Sequence, residues 1–556
     1  MSHAQAHPAS SLPQRPAGAR NPAPERNPWL ILLVLCGAVF MLLLDTTIVN
    51  VAQQKIKESL GADLSEIQWI LDSYIMAYAV LILSFGRLGD VFGRKKLFVI
   101  GMTIFTVASV LCASSTLVGE ATGVSPAAAL IGFRVLQGVG GAMMMPQTLS
   151  LLTVAFPPQQ RGAAMGVWGS VVALGAVIGP VVGGWLVTNY AWEWIFLINL
   201  PLGVIAILAT LAIVPESIDP LATGKIDWGG LVLSAAGIFA LVYAAIEGNA
   251  MGWTSPIILG SLLASVALLT AFVWWERRVD DPMMKLELFR IRNFSVANGL
   301  GLAVSFGMLG IFFPMTVFLQ GALGMSPIQA GLTMLPNGLV LMFAAPAAGR
   351  LTDRFGARWI LVSGLTLMSL GIALLIRQIS VDTTSWSLTI PLMVTGLGMG
   401  MTFAPMTAAA MMQVPPRIAG SASGILNTTR NLGQVLGIAI LGSVLQSRLA
   451  VHGAEALGAI PSLDPVVGES VGTLIASGRV EAIAAAVPPE AMPLLPGIYD
   501  AVRSAFVLSM HETFALGAVA CLLGALGATL IENPRRKVVA PPETQAQIAA
   551  RPAAAD

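Results

Sequence analysis

Charge is what this chain has least of. Only 11% of its 556 residues are Asp, Glu, Lys or Arg, against roughly 25% in soluble domains, so it lacks the charged residues that a water-exposed surface carries. Basic and acidic residues nearly cancel, 30 against 29, which gives no reason to expect a nucleic-acid partner. The three cysteines, Cys36, Cys112 and Cys521, all sit in apolar segments without metal-ligand spacing. They are expected to be packing residues, and no metal site is expected. A phosphate loop is missing as well: the pair Gly224-Lys225 is followed by Ile226, so ATP hydrolysis is not expected. Alternating strand patterns are absent. The first 28 residues, rich in Pro, Ala and Arg, have no short apolar core or cleavage site of a secretory signal.

What is present is apolar length. Hydrophobic residues make up 56% of the chain and mean hydropathy is +0.79. They fall in runs of about 20 residues, the helix length that crosses a hydrocarbon core of roughly 30 Å. The expected fold class is an all-α integral membrane protein. Apolar runs place six helices within 29–214, two within 227–275 and six within 294–531, fourteen in all. The expected organisation is a disordered cytosolic tail at 1–28, a six-helix bundle at 29–214, a two-helix insert with cytosolic linkers at 215–293, a second six-helix bundle at 294–531 and a cytosolic tail at 532–556. Within the second bundle, 448–503 is a long, Ala-rich, partly apolar outer loop with room for short helices or a hairpin. With both termini in the cytosol, most of the 30 Lys and Arg fall on the inner side, as the positive-inside rule requires. A thirteen-helix count would spoil that pattern.

A repeat is legible. GRLGDVFGRKK from Gly86 recurs as GRLTDRFGARW from Gly349, each closing one helix and opening the next on the inner side. In the first copy, Gly86 and Gly93 permit a tight turn, Asp90 is placed to cap a neighbouring helix N-terminus, and Arg94, Lys95 and Lys96 hold the turn in the cytosol. Gly349, Asp353 and Gly356 are the matching positions of the second copy. Parallel repeats with a path between them are a transporter signature.

On these turns the sequence resembles the major facilitator superfamily. RVLQGVGGA from Arg134 fits the superfamily's helix-four pattern, and GAVIGPVVGGWL from Gly175 fits its helix-five pattern. In the second, Gly175, Gly179 and Gly183 form one small face for close helix approach, flanked by Gly184, and Pro180 favours a bend. The resemblance implies an antiporter there. LLLDTTIVNVA, QWILDSY, WEWIFLINLP and the two inserted helices are similar to the fourteen-helix drug:proton antiporter family of the QacA and EmrB type. Two departures lie near outer helix ends: Ala52-Gln53-Gln54 where the family has Ala-Leu-Pro, and Glu193 where it has Arg. The resemblance implies export of amphipathic, often cationic, small molecules from the cell across the inner membrane in exchange for protons. The proton gradient is the driving force and no cofactor is required. A periplasmic adaptor is not readable. Alternatives on the same fold are a dedicated exporter of one natural product, lipid or siderophore, or a receptor that moves nothing.

Depth counting singles out three charges. Asp45 on helix one, Asp72 on helix two and Arg134 on helix four fall at a similar level in the outer half of the membrane. Adjacent helices would let two carboxylates share one guanidinium. A lone charge in hydrocarbon costs at least about 2.5–3.5 kcal/mol, so such residues face a partner or a wet cavity. Asp45 is expected to be the principal proton site, Asp72 a second carboxylate for proton or cationic substrate, and Arg134 their tuning partner. Tyr74, Tyr78 and Arg430 are candidates for the substrate cavity. His511 and Glu512 read as a hydrogen-bonded structural pair.

Overall fold

A computed structural model describes residues 27–62, 64–157, 160–218, 226–280, 282–461, 463–476 and 483–533. The tails expected at 1–28 and 532–556 therefore fall outside the described residues, apart from 27–28 and 532–533. Every regular element among the described residues is helical. An apolar segment surrounded by lipid has no water to pair with its backbone, and the helix satisfies each N–H and C=O within the segment.

The first half contains α1 (Pro28–Leu60), α2 (Leu64–Phe92), α3 (Arg94–Ala113), the short α4 (Ser115–Thr122), α5 (Pro126–Ala155), α6 (Arg161–Asn189), and the abutting pair α7 (Trp194–Leu197) and α8 (Asn199–Ile213). Next come α9 (Trp228–Met251) and α10 (Pro256–Glu276), which pack on each other as a hairpin. The second half contains α11 (Arg292–Val317), α12 (Pro327–Phe355), α13 (Arg358–Gln378), α14 (Ser385–Met412), α15 (Ala419–Gly458), the short α16 (Pro465–Ala476) and α17 (Ile483–Ala486), and α18 (Leu495–Ala528). Among the described residues, twelve segments are long and apolar enough to cross a membrane, with α7 and α8 together forming one of them.

Helix starts follow from local sequence. Ser125, Ser255 and Ser326 each precede a proline and accept a backbone N–H from the first turn of α5, α10 and α12, the pairing of cap and N1 proline that prefers this position. The repeat fixes two breaks. Gly93 (φ 109°) separates α2 from α3 and Gly356 (φ 84°) separates α12 from α13, so both copies bend at a conformation that side chains with a Cβ resist.

Within the first half α5 packs on α2 and α3, and α6 on α1; within the second α14 packs on α12 and α13, and α15 on α11 and α18. The halves meet along two seams, α6 against α12 and α2 against α15, and α9 also rests on α2 and α15. Helix α10 is the periphery: only 17% of its apolar window is buried within the chain. Residues such as Leu263, Phe343 and Leu33 are 71%, 72% and 68% exposed, the outward apolar face of a membrane-embedded chain.

The segment expected as an outer loop at 448–503 is largely helical. α15 runs unbroken for 40 residues to Gly458 and α18 begins already at Leu495. Leu449, Leu457, Val471, Ile475 and Ile498 form one buried cluster. Hydropathy marks where apolar residues stop, and helical hydrogen bonding continues past that point through Ala-rich sequence. His511 and Glu512 do not pair with each other. Glu512 binds Arg448 at 2.7 Å and His452 at 3.1 Å, while His511 Nε2 meets the Ile379 carbonyl at 2.9 Å. Consecutive residues on a helix point about 100° apart, which sends the two side chains to different neighbours.

Candidate functional site

The half-repeat turns hold the two halves together at the end of the bundle that carries GRKK. On α2, Asp90 accepts the backbone N–H groups of Gly420 at 2.8 Å and Ser421 at 2.7 Å, the first turn of α15. On α12, Asp353 accepts those of Gly162 and Ala163, both at 2.9 Å, the first turn of α6. Each carboxylate thus caps a helix of the opposite half, where unpaired N–H groups and the helix dipole favour an anion. Backbone contact makes this possible. A Cβ at Gly86 would stand 2.8 Å from the Gly420 carbonyl oxygen and from Gly424 Cα, and one at Gly349 would collide with the Gly162 carbonyl.

The copies differ at the position after the second glycine. Arg94 binds Asp90 at 2.6 Å and reaches across to the carbonyls of Pro416 at 2.8 Å and Arg417 at 3.0 Å. Its counterpart is Ala357, so only the α2–α15 seam has this clamp. Ser217 also takes a bond from Arg94 at 2.8 Å, tying the chain after α8 to the same knot.

The helix-five face lies on α1. The missing side chains of Gly175, Gly179 and Gly183 face Leu43, Thr47 and Ile48 in turn, and Thr47 Oγ1 donates to the Gly175 carbonyl at 3.3 Å. Gly184 is buried beside them. Pro180 lies within helical backbone, and its side chain is outside the described residues.

The intramembrane charges form a closed network around Asp45, which is fully buried, as is Arg134 at 1% exposure. Arg134 Nη1 donates to Asp45 Oδ2 at 2.7 Å and to Gln137 Oε1 at 2.7 Å. Asp45 Oδ1 accepts from Gln137 Nε2 and from Asn199 Nδ2, both at 2.8 Å. Ser109 Oγ takes bonds from the same two amides at 3.2 and 2.9 Å and donates to the Phe196 carbonyl at 3.0 Å. The guanidinium lies 4.2 Å over the Tyr74 ring. Four helices, α1, α3, α5 and α8, thus converge on one carboxylate whose charged form has three donors, which offsets its removal from water.

Asp72 does not share Arg134. The third Arg134 contact is Nε to the Ile70 carbonyl at 3.2 Å, and the carboxylate that Arg134 pairs with is Asp45. The reason is rotational. Tyr74 faces the guanidinium, and Asp72, two residues earlier, points about 200° away. Depth set the level of Asp72 and helical phase set its direction.

Tyr78 stacks at 6.2 Å on Tyr74 and lies beside Asn431 of α15. Arg430, 5% exposed, lies 4.2 Å over the Phe403 ring and 5.8 Å from that of Trp168. The cavity candidates Tyr78 and Arg430 therefore meet where the two halves meet. Gln137, Ser109 and Asn199 are the members of the Asp45 network that sequence reading missed. Gln137 and Asn199 stand inside the quoted RVLQGVGGA and WEWIFLINLP, and an amide within an apolar run was the available signal.

The Major Facilitator Superfamily profile matches residues 35–438. The chain belongs to that superfamily. This facilitator is 34% identical to the tetracenomycin C resistance and export protein of Streptomyces glaucescens, over 81% of this chain and 86% of that one. It is 36% identical to the multidrug resistance protein Stp of Mycobacterium tuberculosis, over 76% of each chain. Its fold matches that of the proton:xylose symporter XylE with a TM-score of 0.55 at 13% identity, covering 90% of this facilitator and 94% of that chain. A facilitator of this class is a transporter and not an enzyme.

Proposed function

We propose that the protein is a proton-driven exporter of amphipathic small molecules that works by alternating access between its two halves. The observation that carries this reading is the buried Asp45 carboxylate, held by Arg134, Gln137 and Asn199. A titratable group buried at intramembrane depth and partnered by one cation is the arrangement that proton relays use. The relatives named for tetracenomycin C export and for multidrug resistance support the direction of transport.

The linkage runs through α1. A proton on Asp45 removes the charge that holds Arg134 and loosens α1 from α5 and α8. α1 carries the glycine face of α6, and α6 is the helix whose first turn Asp353 caps from the second half. Proton binding and the grip between halves are thereby coupled, and any such coupling acts equally in both directions. The caps of α6 and α15 hold the two halves together at one end of the molecule.

Fourteen spans complete the proposal, because α6 with 29 residues and α11 with 26 join the twelve segments already counted. The basic turns support a cytosolic GRKK end and cytosolic termini, with the chain spanning the inner membrane. A dedicated exporter of a single compound is the second reading, favoured by the relative named for tetracenomycin C alone. Resistance profiles against chemically diverse drugs in a pump-deficient host separate the two.

The test is substrate-driven proton movement in proteoliposomes. Asp45→Asn keeps the side-chain shape and is expected to abolish it while the purified protein stays monodisperse. Coupling that persists in Asp45→Asn removes Asp45 from the mechanism.

A further inference from the structure

Arg430 is a buried cation without an anion. It is 5% exposed, its Nη1 has no hydrogen-bond acceptor, and among the described residues no carboxylate forms an ion pair with it. Arg134, at similar burial, has Asp45 at 2.7 Å. What surrounds Arg430 instead is aromatic: Phe403 at 4.2 Å and Trp168 at 5.8 Å. Ring faces hold a guanidinium but supply no lone pair to its N–H groups.

A second orphaned atom here has the same sense. Trp168 Nε1, in a side chain 1% exposed, also lacks an acceptor. Two unpaired donors thus lie where α6 and α2 of the first half face α14 and α15 of the second. Guanidinium and indole nitrogens donate and never accept. Native proteins leave few buried polar groups unpaired, so the unpaired Arg430 and Trp168 donors mark a place where a ligand can bring acceptors. Counted by helical rise from the ends bearing the basic turns, these residues sit about 10–20 Å into the bundle, close to its midplane.

We propose that this cluster is the anion-binding part of the transport site, and that the cargo is an aromatic amphiphile carrying a carboxylate, phenolate or similar acidic group. The proposal rests on the exporter reading above and reverses the cationic cargo that the family resemblance implies. The planar fork of Arg430 binds a planar oxyanion with two parallel hydrogen bonds, while the Phe403 and Trp168 faces take the aromatic body. Because Trp168 and Tyr78 belong to one half and Phe403 and Arg430 to the other, a cargo held here touches both. Its binding is therefore sensitive to how the halves stand relative to each other.

Two dyes on the same xanthene ring make the test: fluorescein, which is anionic, and rhodamine 6G, a cationic ester. Their binding to the purified full-length protein in detergent is read by fluorescence anisotropy. Fluorescein is expected to bind at least tenfold more tightly than rhodamine 6G. Arg430→Gln is expected to weaken fluorescein at least tenfold and leave rhodamine 6G within twofold, whereas Arg430→Lys loses less and Trp168→Phe, which keeps a ring but removes the N–H, loses a few-fold. Equal or tighter binding of rhodamine 6G overturns the proposal, as does fluorescein binding that Arg430→Gln does not change. If Arg430→Gln aggregates on size exclusion, the dye preference of the unaltered protein decides. Transport in proteoliposomes under an imposed pH gradient separates this inference from the exporter reading. Arg430-dependent fluorescein binding with no movement of either dye leaves the anion site and overturns export. Asp45-dependent movement of rhodamine 6G alone leaves export and overturns the anion site.

Discussion

Replacing Asp90 by Asn tests whether the half-repeat turns latch the two halves. The salt bridge from Asp90 to Arg94 at 2.6 Å lies within the first half and survives any separation, so it does not enter the balance. Of the bonds that opening breaks, the two that Asp90 itself makes are those from Gly420 N–H at 2.8 Å and Ser421 N–H at 2.7 Å. A hydrogen bond to a charged group contributes about 1.5–3 kcal/mol. Asparagine retains one neutral acceptor, so the net loss is about one such bond, and the closed-to-open ratio falls about 10- to 150-fold. Spin labels at Lys96→Cys on α3 and Arg354→Cys on α12, both exposed, report the separation of the two halves at this end by pulsed electron resonance. The native cysteines are buried and leave labelling to the introduced ones. Asp90→Asn is expected to populate longer distances, and Asp90→Asn with Asp353→Asn more so, because the two caps grip different helices and their effects add. An unchanged distance distribution in the double variant refutes the latch.

Two further outcomes follow from the same packing. Gly349→Ala places a methyl group against the Gly162 carbonyl, whereas Gly37 has nothing within 4 Å of an added Cβ. Thermal melting is therefore expected to show Gly349→Ala destabilised by about 1–3 kcal/mol and Gly37→Ala unchanged or slightly stabilised; equal melting points contradict the close approach. Asn199→Leu removes the donor to Asp45 at 2.8 Å and is expected to cost about 1–3 kcal/mol, with a larger loss for Asn199→Asp, which sets a second carboxylate beside the first. A melting temperature lower for Leu than for Asp places Asn199 outside the Asp45 network.

Much of the molecule was readable before its folding was known. Lipid as solvent forces apolar runs into helices, so hydropathy located the membrane-embedded segments, and the repeat from Gly86 and Gly349 implied two halves. Asp45 and Arg134 were found because a charge in hydrocarbon needs a partner. The errors share one cause. Rise per residue gives height along a helix but not which neighbour a side chain faces, so Asp72 was grouped with Arg134 although the two form no ion pair in the structure. Asn199 and Gln137 passed unnoticed because an uncharged amide, although it interrupts an apolar run, does not demand a counter-ion as a charge does.

The sequence alone determined the solvent, the helical class, the two glycine-aspartate turns and the existence of a buried acid and base, because each follows from local composition and spacing. Only the tertiary structure decided which helices those turns cap, since Asp90 and Asp353 reach α15 and α6 from positions 330 and 191 residues distant. It likewise decided that Arg134 has a carboxylate and that Arg430, among the described residues, has none. Both are arginines in apolar helices, and their difference lies wholly in what the packing of the two halves brings beside them.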